Sequence, residues 1–392
     1  MYSARKCRIR KKKLSEIDRI AEETIAKNYT PGMQILIAKD GKVVYDKSFG
    51  TQDKYSSKKV KWTDLYDVAS VTKVTATLPL LMLAVGENKI NLEQTLGEID
   101  TAAKNSNKSN LKIREVLAHQ AGLKPWIGFY NETVNVKNAR LYLDYYARKQ
   151  DAEHQIKVTD NIFVITTIKD TIYEDIYKSL LGRKSYEYSD LGYYIFKKKL
   201  EQDYQQDLNQ LTQDKFYQTL GMYRTTYNPK DKFELEEIIP TEYDKTYRNQ
   251  LVHGFVHDQG AAMMGGIAGH AGLFSNSIDL AKLMQMYLNG GEYGDEVYLK
   301  PEIIKEFTKQ QYSGNHRGAG FDKIISSLSK GPSAESFGHT GFTGTMVWAD
   351  PKYNIVYIFL SNRVNVGVEP NNLSIKKVRE NIRQVIYDAI LP

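Results

Sequence analysis

The chain has 392 residues, 41% of them hydrophobic, which is enough to bury a large core; its one cysteine, Cys7, excludes an intramolecular disulfide and any cysteine-based metal site. It carries 54 basic and 47 acidic residues, but Arg5, Lys6, Arg8, Arg10, Lys11, Lys12 and Lys13 stand in a 13-residue start with no acid, leaving 47 basic against 47 acidic residues beyond it. The net charge of +7 is therefore a tail, and a neutral body argues against a nucleic-acid-binding face.

Residues 1–13 are expected to be a basic tail or linker stub, and they have no apolar core of a signal peptide. Leu14, Ile17, Ala21 and Ile25 recur at helical spacing and predict an amphipathic first helix. Apolar runs at 33–38 and 42–49 flank Asp40-Gly41, a turn pair that joins antiparallel strands. The longest apolar run, Val74 to Val85, is about 12 residues, short of the roughly 20 needed to span a bilayer. Pro79 lies inside its helical pattern, where it removes the bond to the carbonyl of Thr75, so a kink is expected there. Residues from about 90 to 250 read as mainly helical with polar connectors, and 131–160, with weak periodicity, as a mobile flap. Strands are predicted at 344–349 and 355–361 around Asp350-Pro351. Ile375, Val378, Ile382, Val385, Ile386 and Ala389 then predict a closing helix over the sheet.

Three segments carry chemistry. In Ser70-Val71-Thr72-Lys73 the serine and lysine share a helix face, so the Lys73 amine can reach the Ser70 hydroxyl and take its proton, and the helix start favours negative charge. Tyr188-Ser189-Asp190 projects a tyrosine from a turn at the mouth of a helix, and His339-Thr340-Gly341 opens a β-rich tail. His119 and Trp126 read as structural or cleft-wall residues, while His154, His253 and His316 have no assigned role. A metal site from His257, Asp258 and His270 matches no standard ligand spacing.

The order Ser-x-x-Lys, Tyr-x-Asp, His-Thr-Gly resembles the penicillin-binding protein and serine β-lactamase superfamily, nearest its class C enzymes and their esterase and peptidase relatives. The resemblance covers most of the chain from about Leu14, with Leu117-Ala118-His119-Gln120-Ala121-Gly122-Leu123, Leu220-Gly221-Met222 and Gly269-His270-Ala271-Gly272-Leu273-Phe274-Ser275 as further landmarks. Val256-His257-Asp258 narrows it towards the serine-hydrolase domain fused to family 3 β-N-acetylglucosaminidases, and to muropeptide amidases.

This resemblance implies an α/β (α+β) fold of the β-lactamase/transpeptidase-like kind: an antiparallel sheet flanked by helices, with a mainly helical inserted subdomain. The corresponding expectation is a discontinuous sheet domain, 14–75 plus 255–392, and a helical subdomain, 76–254. It also implies a serine hydrolase that forms an acyl-enzyme on amides or esters, of cell-wall muropeptides in the first instance. A D,D-carboxypeptidase or β-lactamase-like enzyme, a general esterase, and a catalytically weak binding module for peptidoglycan fragments are the alternatives. Ser70 is the implied nucleophile, Lys73 and Tyr188 move its proton, and the oxyanion lies between the backbone N–H groups of Ser70 and Phe342. Asp190, His339, Thr340, Gly341, Phe342, His270 and His257 are the implied substrate-binding or oxyanion residues, with no cofactor and no metal. An upstream glycosidase domain in the parent chain and a periplasmic or cell-envelope location follow from the narrower resemblance; a complete chain without a signal peptide is instead expected in the cytoplasm. No nucleic acid and no membrane span is expected.

Two departures bear on substrate. His339 replaces the lysine of many relatives, so the cleft is expected to lack a permanent anchor for a carboxylate, with the histidine charging only at lower pH. Asp190 stands where penicillin-recognising enzymes usually carry asparagine; a carboxylate cannot donate to a substrate carbonyl and favours the protonated form of Lys73.

Overall fold

The computed structural model describes residues 9–324 and 331–390. Its centre is a six-stranded antiparallel sheet. The strands are β1 (Gly32–Lys39), β2 (Lys42–Gly50), β3 (Asp322–Lys323), β4 (Phe337–Thr340), β5 (Met346–Asp350) and β6 (Ile355–Ser361), in the spatial order β3-β4-β5-β6-β1-β2. The first hairpin turns where predicted, because Asp40 and Gly41 take φ of 52° and 70°, the paired positive values of a tight hairpin turn. Strands from both ends of the chain meet in β1 and β6, paired from Met33 opposite Ser361 to Lys39 opposite Ile355.

Both sheet faces are covered, so β1, β5 and β6 are buried along their whole length. Alternation separates the faces. Met33, Ile35 and Ile37 of β1 with Tyr357 and Phe359 of β6 pack against Ile17 and Ala21 of α1 (Glu16–Ala26) and Ile382 and Ile386 of the last helix (Val378–Ala389). Leu36, Ala38, Ile358 and Leu360 face the larger core with Leu280, Leu283 and Met284 of the helix Ser277–Leu288. The body described begins at Ile9 rather than Leu14. Ile9 bridges Ile390, the Arg10 amide donates to the Ala389 carbonyl at 2.8 Å, and Lys11–Leu14 is a helical turn, so only residues 1–8 of the expected tail, Cys7 included, lie outside the described residues.

The segment after Ser70 departs from a single kinked helix. It runs as a 3-10 turn (Ala69–Val71), a π-helical turn (Lys73–Thr77) and α2 (Leu78–Gly86), with Pro79 in the first turn of α2, where proline is tolerated. The carbonyls released by this winding find new donors: the Tyr217 hydroxyl donates to Thr75 O at 2.8 Å and the Tyr287 hydroxyl to Val74 O at 3.0 Å. The stretch Ala69–Gly86 is long and apolar enough to span a membrane, more so than the run counted from sequence, yet 78% of it is buried inside the protein.

The region 131–160, read from sequence as a flap, is built of short paired strands: Val134–Asn135 with Arg140–Leu141, and Ile156–Thr159 and Tyr146–Ala147 on either side of Ile162–Val164. Two-to-four-residue strands are too short to show a period. Helices α3 (Ile168–Lys178) and α4 (Leu191–Tyr204) follow, and α4 starts immediately after Asp190.

Candidate active site

Ser70 is set on a strained approach. Ala69 adopts φ of 48°, the left-handed region that costs a non-glycine residue about 1–3 kcal/mol and persists only where surroundings impose it. Here Asp67 imposes it, since its Oδ1 accepts from the Ala69 amide at 2.8 Å and its Oδ2 from the His257 amide at 2.6 Å. On the other side the turn after β4 is laced to the same segment. The Thr343 hydroxyl donates to Asp67 O at 2.8 Å and the Thr345 hydroxyl to Val68 O at 2.9 Å. Gly341 is required by this contact, because a Cβ there would lie 2.4 Å from Val68 O and 2.1 Å from Thr345 Oγ1. Gly341→Ala is therefore expected to lower stability by about 1–3 kcal/mol and to slow turnover by pushing Phe342 away from Ser70; unchanged melting and activity would refute this packing.

Lys73 lies beneath the serine, with a fully buried side chain. Its Nζ is 2.9 Å from Ser70 Oγ, 2.6 Å from Asp190 Oδ1 and 3.2 Å from His270 O. Asp190 holds the Lys73 ammonium up: burial opposes the charge, but the adjacent carboxylate outweighs it. The Tyr188 hydroxyl is within hydrogen-bonding reach of both Ser70 and Lys73, and burial pushes its pKa up despite the nearby ammonium. At rest the site thus holds a lysine ammonium and a neutral phenol, which corrects the picture of a Lys73 amine ready to take the serine proton.

His339 is the third of the four residues of β4 and lies at the cleft wall. Its Nδ1 is 2.7 Å from the Thr340 carbonyl, which makes Nδ1 the donor and leaves Nε2 as an acceptor with no partner among the described residues. Burial first, then Arg317 and Lys73, hold its pKa well below the usual histidine range, so it stays neutral and the expectation that mild acid charges it fails. The expectation that the cleft lacks a fixed cation fails too. Arg317 is only 4% exposed and lines the same wall, with Nη2 3.1 Å from Asp322 Oδ1 and 3.1 Å from the Tyr186 hydroxyl. Its Nε and Nη1 have no hydrogen-bond partner among the described residues.

Ser70, Tyr188, Asp190, His257, His339, Thr340, Gly341, Phe342 and Trp126 all line one cleft of about 1140 Å³. His270 does not. Its ring stacks on Tyr194 at 4.4 Å and its Nε2 meets Asp258 Oδ1 at 2.9 Å, so it is a buried support for Lys73 rather than a substrate contact. His257 pairs with Glu242 at 2.9 Å, so the two histidines answer to different carboxylates. His119 backs the site: its ring lies 4.5 Å from that of Tyr188, and its Nδ1 accepts from the Ser189 amide at 3.1 Å.

Comparison with known proteins agrees with this geometry. The family model described as Beta-lactamase matches residues 17–379. The chain belongs to the Beta-lactamase family. As a serine hydrolase of this family, it is 31% identical over 382 residues to a protein of Escherichia coli O157:H7 named "Putative D-alanyl-D-alanine carboxypeptidase", covering 90% of this chain and 82% of that one. Among solved structures it resembles a class C β-lactamase at a TM-score of 0.71 and 15% identity, over 100% of this chain and 99% of that one. It also resembles EstCE1, described as a hydrolase with promiscuous acyltransferase activity, at 0.70 and 18%, over 96% and 99%. Both solved structures share its fold.

Motif order located the Ser70, Tyr188 and His339 segments, which the fold brings together. It missed Asp67, whose two short contacts fix the turn before Ser70, and Arg317, which sits in Asn315-His316-Arg317-Gly318 with no recognisable pattern.

Proposed function

We propose that this serine hydrolase cleaves the amide bond of a peptide ending in a free carboxylate, as a carboxypeptidase acting on peptidoglycan-type stems. The observation that carries the reading is Arg317: a nearly buried guanidinium with two nitrogens, Nε and Nη1, unmatched among the described residues, on the cleft wall beside neutral His339. Burying such donors without a partner costs free energy, and a planar fork of N–H groups fits a carboxylate. Arg363 and Arg379 line the same cleft, and the name carried by the curated relatives points the same way. This reading narrows the muropeptide expectation to the peptide stem.

In the proposed reaction Ser70 Oγ gives its proton to the Lys73–Tyr188–Asp190 cluster as it attacks the scissile carbonyl, whose oxygen takes the negative charge beside the backbone N–H groups of Ser70 and Phe342. Such donors are worth ~3 kcal/mol each in related chemistry. Tyr188, in reach of Ser70 and Lys73, hands a proton to the leaving amine. Water then enters the same position and releases the acyl group from Ser70.

Arg317→Ala is expected to lower kcat/KM for an acyl-D-alanyl-D-alanine peptide by about 10–150-fold, the effect of losing a charge-assisted contact of about 1.5–3 kcal/mol. The same peptide with its C-terminus amidated should start slow in the wild type and lose far less in the variant. Equal losses on both peptides would remove the carboxylate reading while leaving the serine chemistry standing.

A further inference from the structure

Lys73 Nζ is ion-paired with Asp190 Oδ1 at 2.6 Å, lies 2.9 Å from Ser70 Oγ and 3.2 Å from His270 O, and is also in hydrogen-bonding reach of the Tyr188 hydroxyl. As an ammonium, Nζ has no lone pair for the serine proton. One of its own protons must leave first. The His270 carbonyl is no base, Ser70 is the group being deprotonated, and Tyr188 already holds its proton. The remaining neighbour is the Asp190 carboxylate, which stands at the mouth of α4 with its side chain 15% exposed.

We infer that Asp190 is the proton reservoir of this site: it takes a proton from Lys73 during acylation, freeing the amine as the base for Ser70, and returns it afterwards. A proton moves from Lys73 Nζ to Asp190 Oδ1, leaving a neutral amine and a carboxylic acid. The amine lone pair takes the Ser70 Oγ proton as the Oγ electron pair bonds to the carbonyl carbon and the C=O π pair moves onto oxygen. When that pair returns, the bond to the leaving group breaks, and the leaving amine receives a proton through Tyr188 from the Lys73 ammonium. Asp190 then returns its proton to Lys73, restoring the ion pair. The pair keeps zero net charge at rest and at the start of attack, so no proton crosses to solvent before the bond forms. An asparagine, which relatives carry here, cannot take up the proton.

The surroundings favour the exchange. Burial raises Tyr188, and the Lys73 ammonium also lies 5.4 Å from the ring centre of Tyr193. Across the cleft His119 and His339 are held neutral by burial and Arg317 keeps its charge, while Asp258 is tied up with His270 behind Lys73. Asp190 is thus the carboxylate that directly faces Lys73.

The inference rests on Ser70 as nucleophile and is independent of the carboxylate reading, because its test uses a fluorophosphonate, whose fluoride leaves without a proton. The pseudo-first-order labelling rate is read against pH from 5 to 10 for wild type, Asp190→Asn and Asp190→Glu. In the wild type we expect a level rate across about pH 6.5–9, falling only where a carboxylate is protonated. Asp190→Asn should lose about 100-fold at pH 7 and then climb roughly tenfold per pH unit, as Lys73 itself must shed its proton to solvent. Asp190→Glu should keep a level profile at reduced rate. An Asp190→Asn variant as fast as wild type at pH 7, or slower by one factor at every pH, would overturn the inference, the second outcome marking a structural role only. Should Asp190→Asn fail to fold, the wild type decides alone: a tenfold rise per pH unit up to pH 9 means that Lys73 deprotonates to solvent and that Asp190 is no reservoir.

Discussion

Ser70→Ala is expected to abolish fluorophosphonate labelling and to reduce turnover of p-nitrophenyl esters and D-alanyl peptides on the order of 10⁶-fold, to what the remaining cleft gives by binding alone. The variant should melt where the wild type does. Ser70 is partly exposed at the cleft floor, and its one hydroxyl oxygen meets Lys73 Nζ and the Tyr188 hydroxyl, neither of which holds the turn. The turn that holds it is fixed by Asp67, Thr343 and Thr345 through backbone atoms that the substitution does not touch. Labelling that survives in Ser70→Ala, at a site elsewhere, would move the nucleophile and with it the meaning of the cleft.

Lys73→Ala and Tyr188→Phe should each cost roughly 10²–10⁴-fold in acylation, the usual range for positioned proton transfer. The double variant should cost little more than the worse single one. Lys73 Nζ and the Tyr188 hydroxyl both reach Ser70 and reach each other, so they form one proton path and removing either breaks it. Lys73→Ala has a second effect, since it strands the Asp190 carboxylate without its partner; Lys73→Met keeps the stem and separates packing from proton transfer. Rates from stopped-flow release of p-nitrophenol settle the comparison: losses that multiply would mean two independent groups rather than one path.

Four of the six strands were legible, β1, β5 and β6 as short apolar runs buried on both faces and β2 across the Asp40-Gly41 turn, whereas β3 and β4, of two and four residues, are too short to read. The closing helix was legible because its apolar residues recur at helical spacing. What the sequence hid has physical causes. The helix after Ser70 was read as kinked at Pro79, but the chain winds as 3-10, π and α turns, because the hydroxyls of Tyr217 and Tyr287, more than 130 positions away, supply the donors that make the irregular winding affordable. Nothing local announces such partners. Residues 131–160 looked featureless because paired strands of two to four residues leave no periodicity to read.

In the site, residue types were readable and their protonation was not. Ser70 to Lys73 spacing gives a contact, but whether Nζ is amine or ammonium depends on Asp190 at 2.6 Å, a neighbour 117 positions away in the chain. The expectation drawn from His339, a cleft without a fixed cation, overlooked Arg317, which lines the same cleft from a loop without a motif. His270, in a glycine-rich landmark, was expected to face substrate and instead turns its ring onto Tyr194 and Asp258 while its carbonyl holds Lys73. Main-chain roles of this kind leave no trace in side-chain identity.

The central claim, that catalysis runs through an ester on Ser70, is tested most directly by mass spectrometry of the intermediate. The protein is mixed with an acyl-D-alanyl thioester or depsipeptide, quenched in acid within milliseconds to seconds, weighed intact and digested. The account predicts a mass increase equal to the acyl group, confined to the peptide containing Ala69-Ser70-Val71 and absent from Ser70→Ala. Rapid turnover with no adduct on that peptide, or an adduct on another residue that forms and decays at the turnover rate, would contradict it.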